Sequence, residues 1–214
     1  MGSPGDVAAA YARRSVEYAD RFGSVSAAHP ADRELVDRWV AGVDGRVLDA
    51  GCGPGHWTQH LAGRGADVHG VDLVPEFVAH ARSRYPGVRF DVGNIDALAE
   101  PDGSVAGILC WYSTIHHPAE RMPVALAEIA RTLRLGGTLL LGYFDADGAS
   151  VEAFDHVVAP AYRWPLPRMR SALEQHGLEV VETHRRTGPG HRPHAAVLCR
   201  RTGESARPSG RWAP

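Results

Sequence analysis

A glycine-rich turn, Gly51-Cys52-Gly53-Pro54-Gly55, follows the short apolar run Arg46-Val47-Leu48-Asp49 and opens a helical stretch at His56. Glycines in such a turn let the backbone bend sharply and let a ligand approach with no Cβ in the way. Two carboxylates accompany it: Asp49 before the turn, and Asp72 at the end of the next apolar run. A carboxylate in the second position can accept hydrogen bonds from both hydroxyls of a ribose. The spacing is not that of a dinucleotide site. There a third glycine, in G-x-G-x-x-G, seats a helix whose N-terminus holds a pyrophosphate; here that position is His56. The turn suits a cofactor without phosphate.

Other reactive side chains are less specific. Either His116 or His117 could act as a base, or pack locally. Neighbouring side chains in an extended segment diverge, so both should not reach one reacting group. Tyr11 and Tyr18, seven residues apart, share a helical face, for the core or for closing over a ligand. Tyr162-Arg163-Trp164-Pro165 is either a packed loop or a substrate-facing one. Cys110 lies in an apolar run that would raise its thiol pKa, which argues against a nucleophile. Neither His116-His117 nor His191-x-x-His194 supplies three or four ligands, so no metal is expected.

Around these residues the chain alternates apolar runs with amphipathic stretches. Strands are expected at 46–49, 67–71, 88–92, 105–111 and 138–144, and helices at 56–61, 75–85, 121–134 and 168–176. Pro75 suits a first helical turn, and the run 105–111 has the near-continuous apolarity of a parallel strand buried on both faces. Apolar residues at 122, 125, 126, 129 and 133 form one helical stripe, which Gly136-Gly137 should stop. Residues 6–22 read as one helix, 31–40 as a second, and 145–167 as a loop. Two closing strands, 178–183 and 195–199, are joined by a turn too short for a crossover helix and should pair antiparallel. The pattern predicts an α/β domain over residues 1–202, with a seven-stranded, mostly parallel sheet, an antiparallel last strand and helices on both faces. The tail 203–214 has few apolar residues and is expected to be disordered.

Composition narrows the function classes. All 23 basic residues are Arg, which rules out a lysine nucleophile or Schiff base. A net charge of −2, with both signs scattered, argues against a nucleic-acid substrate. Three separated cysteines read as free thiols in a reducing compartment. The N-terminus lacks the basic and apolar regions of a signal peptide, and no apolar stretch is long enough to span a bilayer. A cytoplasmic monomer or homodimer is expected.

The segments Val47-Leu48-Asp49-Ala50-Gly51-Cys52-Gly53-Pro54-Gly55, Gly70-Val71-Asp72, Asp91-Val92-Gly93-Asn94-Ile95-Asp96-Ala97-Leu98, Pro101-Asp102-Gly103-Ser104, Ile115-His116-His117 and Leu133-Arg134-Leu135-Gly136-Gly137-Thr138 resemble the ordered motifs of class I S-adenosylmethionine-dependent methyltransferases. The nearest likeness is to the small methyltransferases of the ubiquinone/menaquinone type, and it runs from about residue 10 to residue 201. It implies a three-layer Rossmann-like fold, S-adenosylmethionine as cofactor, S-adenosylhomocysteine as product, and in-line methyl transfer to a small-molecule acceptor.

By that resemblance Asp49, Ala50, Gly51, Cys52 and Gly53 would hold the methionine portion, and Cys110 would offer its carbonyl to the cofactor's amino group. Asp72 would take the ribose hydroxyls, Leu73 would pack on the adenine, and Asn94 and Ile95 would read its edge. Asn94 stands where the family usually has Asp, and Val105-Ala106 where it commonly has an aromatic residue followed by Asp. His116 and His117 would be the catalytic candidates. Tyr11, Tyr18, Tyr112 and Trp164 would face the substrate, and the helices within 1–42 would form part of a lid. Two rivals are a protein that binds S-adenosylmethionine without methylating and, against the His56 spacing, a nicotinamide oxidoreductase.

Overall fold

The computed structural model describes residues 3–188 and 191–203, so the expected disordered tail lies, beyond Gly203, outside the described residues. Ser3 opens α1 (Pro4–Ala12) with a capping box: its hydroxyl accepts the Asp6 amide at 3.2 Å while its own amide donates to the Asp6 carboxylate at 2.7 Å. The single helix expected over 6–22 is broken at Arg13-Arg14, and α2 (Ser15–Phe22) starts anew. Arg14 leaves helical geometry there (φ −121°, ψ 13°), and its guanidinium donates to the distant Val157 carbonyl at 2.7 Å. Pairing with a segment 143 residues away thus competes with helical continuity. A 3-10 turn (Val25–Ala27) leads to α3 (Pro30–Ala41).

The alternation then begins: β1 (Val47–Ala50), α4 (His56–Gly63), β2 (Val68–Asp72), α5 (Pro75–Arg84), β3 (Arg89–Val92), β4 (Val105–Trp111) and α6 (Met122–Thr132). It ends with β5 (Leu133–Ala146), β6 (Glu152–Phe154), β7 (Ala161–Pro165), α7 (Leu166–Glu174), β8 (Leu178–Gly188) and β9 (His191–Arg201). The seven expected strands all form, in spatial order β3-β2-β1-β4-β5-β9-β8. The first five are parallel, and β9 lies antiparallel between β5 and β8.

Two expectations need correcting. The segment 145–167 is not all loop: β7 extends the C-terminal end of β5 in parallel, at Asp145↔Trp164, and β6 pairs antiparallel with β7. The helix predicted to Arg134 stops at Thr132, because β5 already pairs at Leu133↔Val105 and resumes at Thr138↔Gly107. Leu135-Gly136-Gly137 makes the irregularity between, with Gly136 at φ +75°, so the glycines shift a strand's register instead of ending a helix.

Successive strand residues point to opposite faces, so each central strand feeds two cores. Leu48, Ile108, Leu139 and Leu141 pack with Met122, Leu126 and Ile129 of α6 on one face. Val47, Leu109 and Leu140 pack with Leu35, Val36 and Trp39 of α3 and with Trp57 and Leu61 of α4 on the other. That places α3 in the core, while Pro4, Val7, Ala8 and Tyr11 of α1 and Tyr18 of α2 lie over the strand ends. No helix among the described residues is long and apolar enough to cross a membrane.

Candidate active site

A cavity of about 160 Å³ lies at the C-terminal ends of β1, β2 and β4, beneath α1 and α2. Strand order reverses between β1 and β4, the place where open α/β sheets bind ligands. The glycines of the turn do three different jobs. A Cβ on Gly51 (φ +79°) would sit 2.3 Å from the Ser113 Cβ, so Gly51 lets β1 and the segment after β4 approach. A Cβ on Gly55 would meet Ala81 and Phe90 at 2.8 Å, so that glycine closes α4 onto α5 and β3. Gly53 (φ +54°) lines the cavity with nothing within 4 Å of its Cβ position, a floor kept open for a ligand.

The turn's amides explain the kind of ligand. The Gly51 and Cys52 amides both donate to the Val71 carbonyl, at 2.7 and 3.0 Å. The Gly53 amide donates to Asp72 Oδ2 at 2.8 Å. A phosphate-binding turn needs such groups free, and here they are engaged. Asp72 also accepts the Val74 amide at Oδ1 (2.8 Å), so two backbone donors fix its orientation. Each oxygen keeps acceptor capacity, and burial raises its pKa while those amides oppose the shift. An oriented, desolvated carboxylate beside an open glycine floor fits a ribose diol. Asp49 stands behind the turn, 2% exposed, accepting from the Thr58 hydroxyl at 2.7 Å; burial pushes its pKa up to about 7.

Gly51, Gly53, Asp72, Leu73, Asn94 and Ile95 line the cavity together. Ala50, Cys52 and Cys110 do not: all three side chains are buried in the packing, and burial holds the Cys110 thiol near pKa 12. The Asn94 side-chain oxygen accepts the Asp96 amide at 2.9 Å, so the acceptor kept by this residue is partly engaged by its own turn.

The other end is built from side chains. His116 and His117 both line the cavity, because the segment is a turn, closed by the His117 amide on the Thr114 carbonyl (2.9 Å), and not the extended stretch expected. His116 Nδ1 lies 2.8 Å from the Pro160 carbonyl, which can only accept, so Nδ1 carries the proton of the neutral ring. Its Nε2 is then the acceptor for the Tyr11 hydroxyl at 2.9 Å. Burial lowers the His116 pKa, keeping that lone pair available. His117 Nε2 instead meets Asp96 at 2.8 Å, and Arg121 holds the other Asp96 oxygen. Burial opposes ionisation of Asp96, but these two partners outweigh it and hold its pKa low.

Tyr11 and Tyr18 sit on separate helices yet meet edge-to-face at 5.4 Å, and both pack on Phe77 over the cavity. Burial pushes the Tyr18 phenol up to about 12. Tyr112 lines the cavity in the left-handed region (φ +59°), a conformation that costs a non-glycine residue about 1–3 kcal/mol. Its amide bonds the Gly142 carbonyl at 2.9 Å and its hydroxyl makes a short hydrogen bond to His194 Nδ1. Burial lowers the His194 pKa to about 4. His194 faces Asp32 of α3 at 3.6 Å, and Arg186 grips that carboxylate with both nitrogens. Trp164 is misplaced by the sequence reading: it is 5% exposed in the core, away from the cavity. Sequence reasoning missed Phe77 and Ser113, since neither lies in a motif, and weighed His194 only as a metal ligand; Asp96 was inside a motif but had no assigned role. No group of three or more potential metal ligands occurs among the described residues.

The comparisons agree with this geometry. Residues 47–137 match the methyltransferase domain family. The malonyl-(acyl-carrier protein) O-methyltransferase of Serratia marcescens is 29% identical over 74% of the chain and 65% of its own length. Across the first such curated relatives the chain spans 40% to 65% of their length. The 1,6-didemethyltoxoflavin-N1-methyltransferase of Burkholderia thailandensis, solved with its substrate and S-adenosylhomocysteine, superposes with a TM-score of 0.74 at 23% identity, covering 94% of this chain and 92% of that one. The (4+2)-cyclase SpnF shares the fold at a TM-score of 0.66 and 20% identity, covering 80% of this chain and 82% of that one. The match to the methyltransferase domain family thus covers the glycine turn, Asp72 and the reversal of strand order, and the fold is that of solved methyltransferases.

Proposed function

We propose that this chain transfers the methyl group of S-adenosylmethionine, in line, to a nucleophilic atom of a small-molecule acceptor. The observation that carries the reading is the division of one cavity: backbone and carboxylates at the β1–β2 end, aromatic and imidazole groups at the β4 end. When bound, the cofactor supplies an electrophilic sulfonium methyl. The chain supplies alignment and exclusion of water. Asp72 would bind the ribose hydroxyls, Leu73 and Ile95 would enclose the adenine with Asn94 at its edge, and the Gly51–Gly53 turn backed by Asp49 would carry the methionine portion. At the far end His116 can take the acceptor's proton at Nε2, directly or through the Tyr11 hydroxyl. His117, tied to Asp96, is a wall of the site. A small acceptor is supported by the position of α1 and α2 over the cavity and by the 1,6-didemethyltoxoflavin bound in the structural neighbour from Burkholderia thailandensis.

Incubation with methyl-radiolabelled S-adenosylmethionine across a metabolite panel tests the proposal: label should move to one acceptor class. Stoichiometric cofactor binding without transfer to any acceptor would instead favour a non-methylating role, the reading suggested by the fold shared with a cyclase.

A further inference from the structure

Beyond the cavity, the C-terminal ends of β4 and β5 carry an aromatic tract. Tyr112 packs on Phe144 (4.9 Å between centroids), Phe144 on Phe154 (5.3 Å), and His156 on His116 (5.5 Å). Two guanidinium groups cap the tract against the same ring: Arg163 lies 4.7 Å and Arg192 5.0 Å from the Phe154 centroid. Among the described residues neither is joined to a carboxylate, in a chain where Arg14, Arg131, Arg185 and Arg186 all are. The carboxylates of the same hairpin, Asp155 and Glu152, the latter opposite Arg163 in the β6–β7 register, are exposed and form no ion pair among the described residues. The Arg163 Nε is buried with no hydrogen-bond partner, an unusual state for a charged donor. Two like charges sharing one ring repel, and a desolvated donor without an acceptor is costly. An anion between them would relieve both.

On the methyl-transfer reading above, from which this inference takes its site, we infer that the hairpin β6–β7 and the start of β9 form the acceptor subsite, and that the acceptor carries a carboxylate on an apolar body. The cofactor groups occupy the ends of β1 to β3, so the acceptor must approach from the β4–β5 side, where this tract lies. Its rings offer apolar faces, and guanidinium groups pair with carboxylates through two parallel hydrogen bonds. Alternation along β7 points Trp164 into the core and Arg163 to the opposite face, onto Phe154. The substrate-facing residue of that strand is therefore one position before the tryptophan.

The experiment uses the full chain saturated with S-adenosylhomocysteine and titrated calorimetrically with benzoate and cinnamate, each against its neutral amide. Each acid should bind about tenfold more tightly than its amide. That preference should vanish in Arg163→Gln/Arg192→Gln with S-adenosylhomocysteine affinity unchanged. Arg192→Gln alone, at an exposed position, should lose part of it even if the double variant fails to fold. Acids that bind no better than amides, or not at all, or a preference that survives Arg192→Gln undiminished, would overturn the acceptor assignment while leaving the methyl-transfer reading intact. Failure of wild-type protein to bind S-adenosylhomocysteine would overturn both.

Discussion

The end of the cavity assigned to the cofactor is made by one continuous stretch, Gly51 to Ile95, whereas the other end draws on α1, α2 and the turn after β4, with the aromatic tract of β5, the β6–β7 hairpin and β9 beyond it. The first is shaped mainly by what the backbone does: missing Cβ atoms at Gly51 and Gly53, and amides that aim Asp72. The second is shaped by long side chains meeting across the fold, such as Tyr11 with His116 over 105 residues. A site of the first kind tolerates little substitution and holds one ligand. A site of the second kind can change its acceptor through single side chains without disturbing cofactor binding.

Substitutions at the two ends should therefore separate kinetically. His116→Gln should lower kcat by about 100-fold or more, the usual worth of a general base, with S-adenosylhomocysteine affinity unchanged. Because burial lowers the His116 pKa, the wild-type rate should hold until the pH drops below the ordinary histidine range of about 6.5, and the variant should lose that limb. A variant that loses cofactor affinity in step with kcat would erase the distinction. Asp72→Ala should weaken cofactor binding by about 30-fold, roughly 2 kcal/mol, with an unchanged circular-dichroism spectrum; undiminished affinity in calorimetry would move the ribose site elsewhere.

Asp49 gives a prediction about stability. An acid whose pKa is about 7 folded and 3.8 unfolded takes up a proton on folding, so its burden is absent below pH 3.8, grows between those values and is complete above 7. Asp49→Asn, which keeps an acceptor for Thr58, should therefore raise stability by about 1–2 kcal/mol at pH 8 and leave it unchanged at pH 3.5. Urea titrations at the two pH values read this directly, and equal shifts at both would refute it. The smallest effect is expected at Tyr112→Phe, which removes the bond to His194 and should reduce kcat/KM for the acceptor by about fivefold, near 1 kcal/mol, without touching cofactor affinity.

The same division governs what could be read from sequence. The glycines, Asp72 and the alternating strands were legible because a strand–turn–helix unit fixes its geometry within a few residues. The break at Arg14 and the hairpin of β6 and β7 were not, since both depend on partners far along the chain, Val157 for one and the end of β5 for the other. Trp164, expected to face the substrate, lies in the core because alternation along β7 turns it inward, a facing that the short aromatic run did not reveal. His194 had no local signal: its role depends on β9 lying beside β5, where it pairs with Phe144.

That strand has a further consequence, in the order of assembly. β9 comes after β5 and β8 in the chain yet lies between them, and its His194 must find Phe144, 50 positions earlier in the chain. Closing so long a loop comes before any reward from pairing. A chain halted on the ribosome before residue 194 already has every strand that frames Asp72, but lacks the His194 partner of the Tyr112 hydroxyl. On the proposed reading, synthesis therefore completes the cofactor end of the site before the acceptor end.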